Sequence, residues 1–198
     1  MANSALPDIN WTAVYKSLQM TAAYEQADKS FPNWQDPNLW VIPAVAGVTF
    51  DKVIAAMRES GIKVCASSDE NPFPDLKVEI VHNDRDPANG SYQIGFCRSI
   101  EPDRENRDLS ADVLESQKHK GITRLEQVLL SHGYFLTTGK HLNVKCITLC
   151  PASRYSDGSV PTVEFNPGSG YAIFGLCSPG HHYDPLRSRT AFFPPPAR

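Results

Sequence analysis

Residues 151–198 of this 198-residue chain contain no lysine, glutamine, methionine or tryptophan, and only one glutamate, Glu164. Other absences bound what the chain can be. No run of about 18 apolar residues exists to span a membrane, and the first residues do not read as a charged and apolar leader, so membrane insertion is not expected and a cytoplasmic location, or a particle assembled there, is expected. Neither Lys nor Arg gathers into a stripe and the net charge is −3, which leaves no basic field for nucleic acid. Cys146 and Cys150 lack the Cys-x-x-Cys spacing and a second pair, so the five cysteines read as buried free thiols rather than zinc ligands. Ser-x-x-Lys and Gly-x-Ser-x-Gly are missing, and no hydroxyl or thiol stands beside an evident base.

The missing residue types form a pattern. Lys, Gln, Met, Trp and Glu fill 29 of the first 150 positions, and average usage predicts about nine in a segment the length of the tail. Apart from Glu164, the tail uses only residues that codons ending in a pyrimidine can encode. Such a set arises when Asn-type codons are randomised at their adenines while the third base stays fixed. A β segment rich in Gly and Pro is also naturally poor in Lys and Glu, and that simpler reading stands beside the first.

At 21.9 kDa the chain is long enough to bury a core, and a single domain over 1–198 is expected, with 1–150 as scaffold and 151–198 as a variable, ligand-displaying region. Trp11, Val14, Tyr15, Leu18 and Ala22 fall at helical spacing after Asp8, which predicts one amphipathic helix over 9–26 capped by Asp8. Pro32, Pro37 and Pro43 exclude regular helix from Ser30 to Pro43, leaving a loop pinned by Trp34 and Trp40. Thr49 caps a helix ending at Gly61, followed by a buried strand over 62–66. Strands at 77–81 and 91–98 are joined by a turn-rich loop. Ser110 opens a short helix, and Thr123-Arg-Leu-Glu126 is a capping box for a helix that Gly133 stops. Short strands at 144–149, 160–165 and 171–177 complete an α+β fold, with helices of the N-terminal part packed on a small antiparallel sheet and long loops near the C-terminus.

Few constellations carry chemistry. Gly133 to His141 misses a phosphate loop, with five residues between its glycines and His141 where a hydroxyl is needed. His181, His182 and Asp184 are metal-ligand types, but adjacent histidines converge poorly. They define the alternative of a small metal-dependent enzyme; otherwise no cofactor is implied. Arg154, Arg187 and Arg189 could clamp an anion, but such arginines more often snorkel at a sheet edge or pair with acids such as Asp157 and Asp184.

The stretch from Asn166-Pro-Gly-Ser-Gly170 through Gly180-His-His-Tyr-Asp184 to Leu186-Arg-Ser-Arg-Thr-Ala-Phe192 resembles the end of the variable proteins of diversity-generating retroelements. In that family a reverse transcriptase copies a template repeat, with errors at adenine, into the 3′ end of a target gene. The resemblance implies a C-type-lectin-like C-terminal region and a non-enzymatic function: binding an unidentified protein or other macromolecular target through a hypervariable surface. Strand alternation then nominates positions. Val163 and Phe165 face the core while Thr162, Glu164 and Asn166 face outward, and Ala172, Phe174 and Leu176 are taken to face the core while Tyr171, Ile173, Gly175 and Cys177 are displayed, although the opposite phase of 171–177 fits the alternation nearly as well. Ser169 and the loop residues His181, His182, Tyr183 and Asp184 join them, with Tyr155, Tyr171 and Tyr183 as aromatic anchors. A third reading is a structural component of a phage or other particle.

Overall fold

A computed structural model describes residues 6–66 and 79–195. The first half runs α1 (Trp11–Ser17), α2 (Thr21–Asp28), β1 (Leu39–Ala44), α3 (Phe50–Glu59), β2 (Lys63–Ala66), β3 (Ile80–Asn83) and β4 (Tyr92–Cys97). The second half runs α4 (Ala111–Ser116), α5 (Arg124–Thr138), β5 (Ile147–Leu149), β6 (Ser153–Tyr155), β7 (Val160–Asn166), β8 (Tyr171–Cys177) and β9 (Leu186–Ser188). The fold is α+β, and among the described residues no helix is long and apolar enough to cross a membrane.

Local chemistry starts most helices where the sequence places them. Thr49 accepts from the Lys52 amide, Ser110 from the Val113 amide, and the Thr123–Glu126 capping box closes in both directions. Two expectations fail. The helix expected over 9–26 is broken in two, because Gln19 takes a left-handed φ of 57° between α1 and α2. Its cap is Asn10, whose side chain accepts from the Ala13 amide, while Asp8 pairs with Arg98. Gly133 does not stop α5, which continues to Thr138 and ends on Gly139 at φ 68°. A Cβ at Gly133 would stand 2.7 Å from Ile9 Cγ2, so this glycine lets the chain around α1 approach α5 closely.

The main sheet has the order β2-β8-β7-β5-β9. It is mixed rather than antiparallel, since β2 runs parallel to β8 and β5 parallel to β9. β1 pairs with β4 and β3 with β6 in separate two-stranded ribbons. The strands expected at 77–81 and 91–98 are found as β3 and β4, joined by the turn-rich loop through Asn89-Gly90, and each pairs with a different strand; positions 77 and 78 lie outside the described residues. One sheet face joins α3 and α5 in the principal core, where Val53, Met57, Leu129, Val163, Ala172 and Phe174 are buried together. Phe50 meets the Phe174 ring edge-on at 5.5 Å. On the opposite face α4 contributes Ala111 and Leu114 to a smaller cluster with Leu149, Val160 and Leu186.

The segment after residue 150 is thus built into the fold: β7, β8 and β9 are three strands of this sheet. Arg189, expected at a sheet edge, is fully buried. Its guanidinium donates to Gln127 Oε1, to the Ser99 carbonyl and hydroxyl, to the Ile100 carbonyl and to Asn143 Oδ1. Glu126 is buried as well; beyond its capping role it receives Arg85 Nε at 2.7 Å and the Tyr92 hydroxyl at 3.0 Å. Burial of a charge requires such partners, and both ionic side chains have them.

Candidate functional site

The register of β7 and β8 decides which tail side chains share a face. Thr162 lies opposite Gly175, Glu164 opposite Ile173 and Asn166 opposite Tyr171, so these six occupy one face. Val163, opposite Phe174, and Phe165, opposite Ala172, occupy the other face; Val163, Phe174 and Ala172 are buried and Phe165 is half-buried. β2 extends the first face, with Lys63 opposite Tyr171 and Cys65 opposite Ile173. The Lys63 ammonium stands 5.8 Å from the Tyr171 ring centroid. Those two β2 positions carry no signal in the sequence, because a parallel pairing across more than 100 residues leaves no local pattern.

The face is open at its β2 end and closed at its α4 end. Tyr171 is exposed, whereas Thr162, Glu164, Ile173, Gly175 and Cys177 are half-buried. The Glu164 side chain forms no hydrogen bond or ion pair among the described residues, and burial raises its carboxyl above the ordinary range. A Cβ on Gly175 would stand 2.9 Å from Thr162 Oγ1, so the hydroxyl fills the space the glycine leaves. Cys177 is not displayed freely: it packs against the α4 cluster, and burial pushes its thiol up to about 11. Asn166 is exposed but holds a turn, its Oδ1 accepting from the Gly168 amide at 2.9 Å and the Ser169 amide at 3.2 Å. Ser169 is exposed at the tip of that turn.

The loop from 178 to 185 borders the same face. It is tied at both ends, by the Asp112 amide donating to the Pro179 carbonyl and the Ile147 amide to the Pro185 carbonyl. His181 and Tyr183 rings lie 5.1 Å apart, and both residues are exposed. Burial raises the Tyr183 hydroxyl, and the Glu164 carboxylate on the sheet face acts in the same direction. His182 and Asp184 turn elsewhere: His182 Nδ1 lies 3.1 Å from Asp108, and Asp184 pairs with Arg107 at 2.5 Å. Among the described residues no group of three or more His, Cys, Asp or Glu converges on a point where a metal could sit.

Tyr155 requires correction as a display residue. It is only 7% exposed, lies in the β3–β6 ribbon opposite Ile80, and its hydroxyl receives Arg124 Nη1 at 3.2 Å. Being on a different ribbon, it cannot share a surface set by the β7–β8 register. The arginine pairs also differ from expectation, since Arg154 joins Glu115 and Asp157 accepts from Ser159. All five cysteines are free thiols, Cys146 and Cys150 buried and Cys65, Cys97 and Cys177 half-buried. Comparison with protein-family models, curated proteins and solved structures finds no match to this chain.

Proposed function

We propose that this chain is a non-enzymatic binding protein whose contact surface is the open face of β7 and β8 with the 178–185 loop, diversified as in the variable proteins of retroelements. The observation that supports this most is the coincidence of two independent patterns. The composition changes abruptly after residue 150, and within that altered segment the outward strand positions lie on one partly open face while their inward neighbours are largely buried. Its exposed positions, among them Ser169, Tyr171, His181 and Tyr183, accept side-chain change with little loss of folding free energy, because substitution there alters few buried contacts. Tyr171 and Tyr183 would supply aromatic anchors, and Ser169, Asn166 and His181 adaptable polar contacts. The metal-dependent alternative draws no support from the geometry, since His182 and Asp184 are each paired with a different partner.

The test is to sequence the DNA flanking the gene. The expected result is a reverse-transcriptase gene and a near-copy of the codons for residues 150–190, with adenine differences at outward positions such as 162, 164, 171, 173 and 181–183. Codons for Val163, Phe174 and Arg189 should match between the copies. Absence of a repeat, or differences spread equally over buried codons, would overturn the proposal and leave the composition as ordinary β-segment bias.

A further inference from the structure

We propose that a second site, in the cleft between the N-terminal helices, the loop from Ser30 to Asn38 and β1, which occupies the last part of the expected loop, binds an organic ammonium ion of the trimethylalkylammonium class. The cleft measures about 660 Å³, inside the range of roughly 300–1,000 Å³ typical of small-molecule sites. Its walls include the partly exposed rings of Trp11, Tyr24, Phe31 and Trp34, and its acidic members include Asp28 and Asp36. Trp40 closes the bottom, held by its indole N–H donating to the Pro7 carbonyl at 2.9 Å. Trp34 is seated against Gly95, where a Cβ would come within 2.8 Å of its ring. Trp34 and Trp40 are therefore held by their protein contacts before any ligand arrives.

Charge selects the occupant. The cleft holds one cation, Arg98, and it is already committed to Asp8 and to the Leu39 carbonyl. Asp28 and Asp36 have no cationic partner among the described residues. Asp28 is also the last residue of α2, whose final turn contains no basic side chain, so its carboxylate faces the unfavourable end of the helix dipole. A bound cation would relieve both. Elsewhere the protein covers aromatic rings with its own cations, as with Arg124 over Phe50 at 3.8 Å, but none of the four cleft rings carries one among the described residues. Aromatic faces attract bulky, weakly hydrated ammonium groups, whereas small inorganic cations demand a shell of converging oxygens. The site stands apart from the β7–β8 surface and does not depend on its function.

The protein supplies its own probe. All three tryptophans, Trp11, Trp34 and Trp40, line this cleft, so intrinsic indole emission reports on it directly. The full chain is titrated with choline chloride, with sodium chloride at matched ionic strength, and with 3,3-dimethylbutan-1-ol as the neutral isostere. The expected result is a saturable emission change with choline only, weakened about tenfold or more in an Asp28→Asn/Asp36→Asn variant. Asn keeps the acceptor that the Asn38 amide uses at position 36, and an unchanged melting temperature verifies that the variant is folded. An Nε-trimethyllysine peptide in parallel assigns the source: tighter binding than choline marks a cation carried on a protein, and equal binding marks a free small molecule. A choline response no larger than that of sodium, equal binding of the neutral alcohol, or full retention in the Asn variant would overturn the proposal.

Discussion

Replacing Arg189 with methionine should remove a large part of the stability of this protein, although the residue lies in the compositionally altered tail. The guanidinium has five N–H groups, and five contacts of 3.0–3.2 Å occupy them, reaching Gln127, Ser99 twice, Ile100 and Asn143. None of these acceptors is a carboxylate. Burial lowers the group to about 10, against which the charges of Asp103 and Glu101 act, so it stays charged at neutral pH. Methionine fills similar volume but leaves the Ser99 and Ile100 carbonyls and two side-chain amides without donors, at about 1–3 kcal/mol for each buried group left unsatisfied. Relief of the cost of burying a charge offsets part of that loss. Against a total of roughly 5–15 kcal/mol for a domain, the change is severe. Lysine should not rescue, because a compact ammonium with three donors cannot span the same fork of acceptors. Urea unfolding followed by far-UV circular dichroism reads the midpoint, with Ser169→Ala at the exposed turn tip as the control, expected within about 0.5 kcal/mol of the parent. A loss below about 1 kcal/mol for Arg189→Met would refute the reasoning and mean that desolvation cancels the hydrogen bonds.

Acid should weaken the fold through His132, whose burial lowers it to about 4. Ser17 Oγ donates to the Val14 carbonyl and so accepts from His132 Nε2 at 2.9 Å, leaving Nδ1 buried without an acceptor for a second proton. The folded value lies below the unfolded value of about 6.5, so the unfolded chain takes up the proton first and stability falls as pH drops from about 6.5 toward 4, by about 2 kcal/mol at pH 5. Urea unfolding across that window should show a shallower pH slope for His132→Leu, and equal slopes would contradict the assignment. Among the tyrosines, Tyr155→Ala should cost about 3–5 kcal/mol as a buried ring, whereas Tyr171→Ala and Tyr183→Ala should stay within about 0.5 kcal/mol. Thermal melts of the three variants check this, and a destabilised Tyr171→Ala would remove it from the display surface.

Much of this protein is legible in short windows of sequence. The caps Thr49, Ser110 and Thr123 act within three residues, and alternation along 160–166 separates buried Val163 from its outward neighbours, whereas along 171–177 two phases fit the sequence and the register against β7 selects the one that buries Ala172 and Phe174. The caps and the alternation are local effects, set by backbone amides that need acceptors and by the two-residue period of a strand. The tail's composition is a property of the sequence alone and needs no structure to be seen. What tertiary structure decided is everything that depends on a distant partner. Gly133 reads as a helix stop until Ile9 is found against it. Tyr155 reads as an anchor until β3 and Arg124 cover it, and Arg189 reads as an edge arginine until residues 99, 100, 127 and 143 surround it. The convergence of three tryptophans with Asp28 and Asp36 on one cleft is likewise invisible along the chain. Periodicity gives the direction of a side chain relative to its own element, but only the packing of that element against others decides whether water, a core or a ligand meets it there.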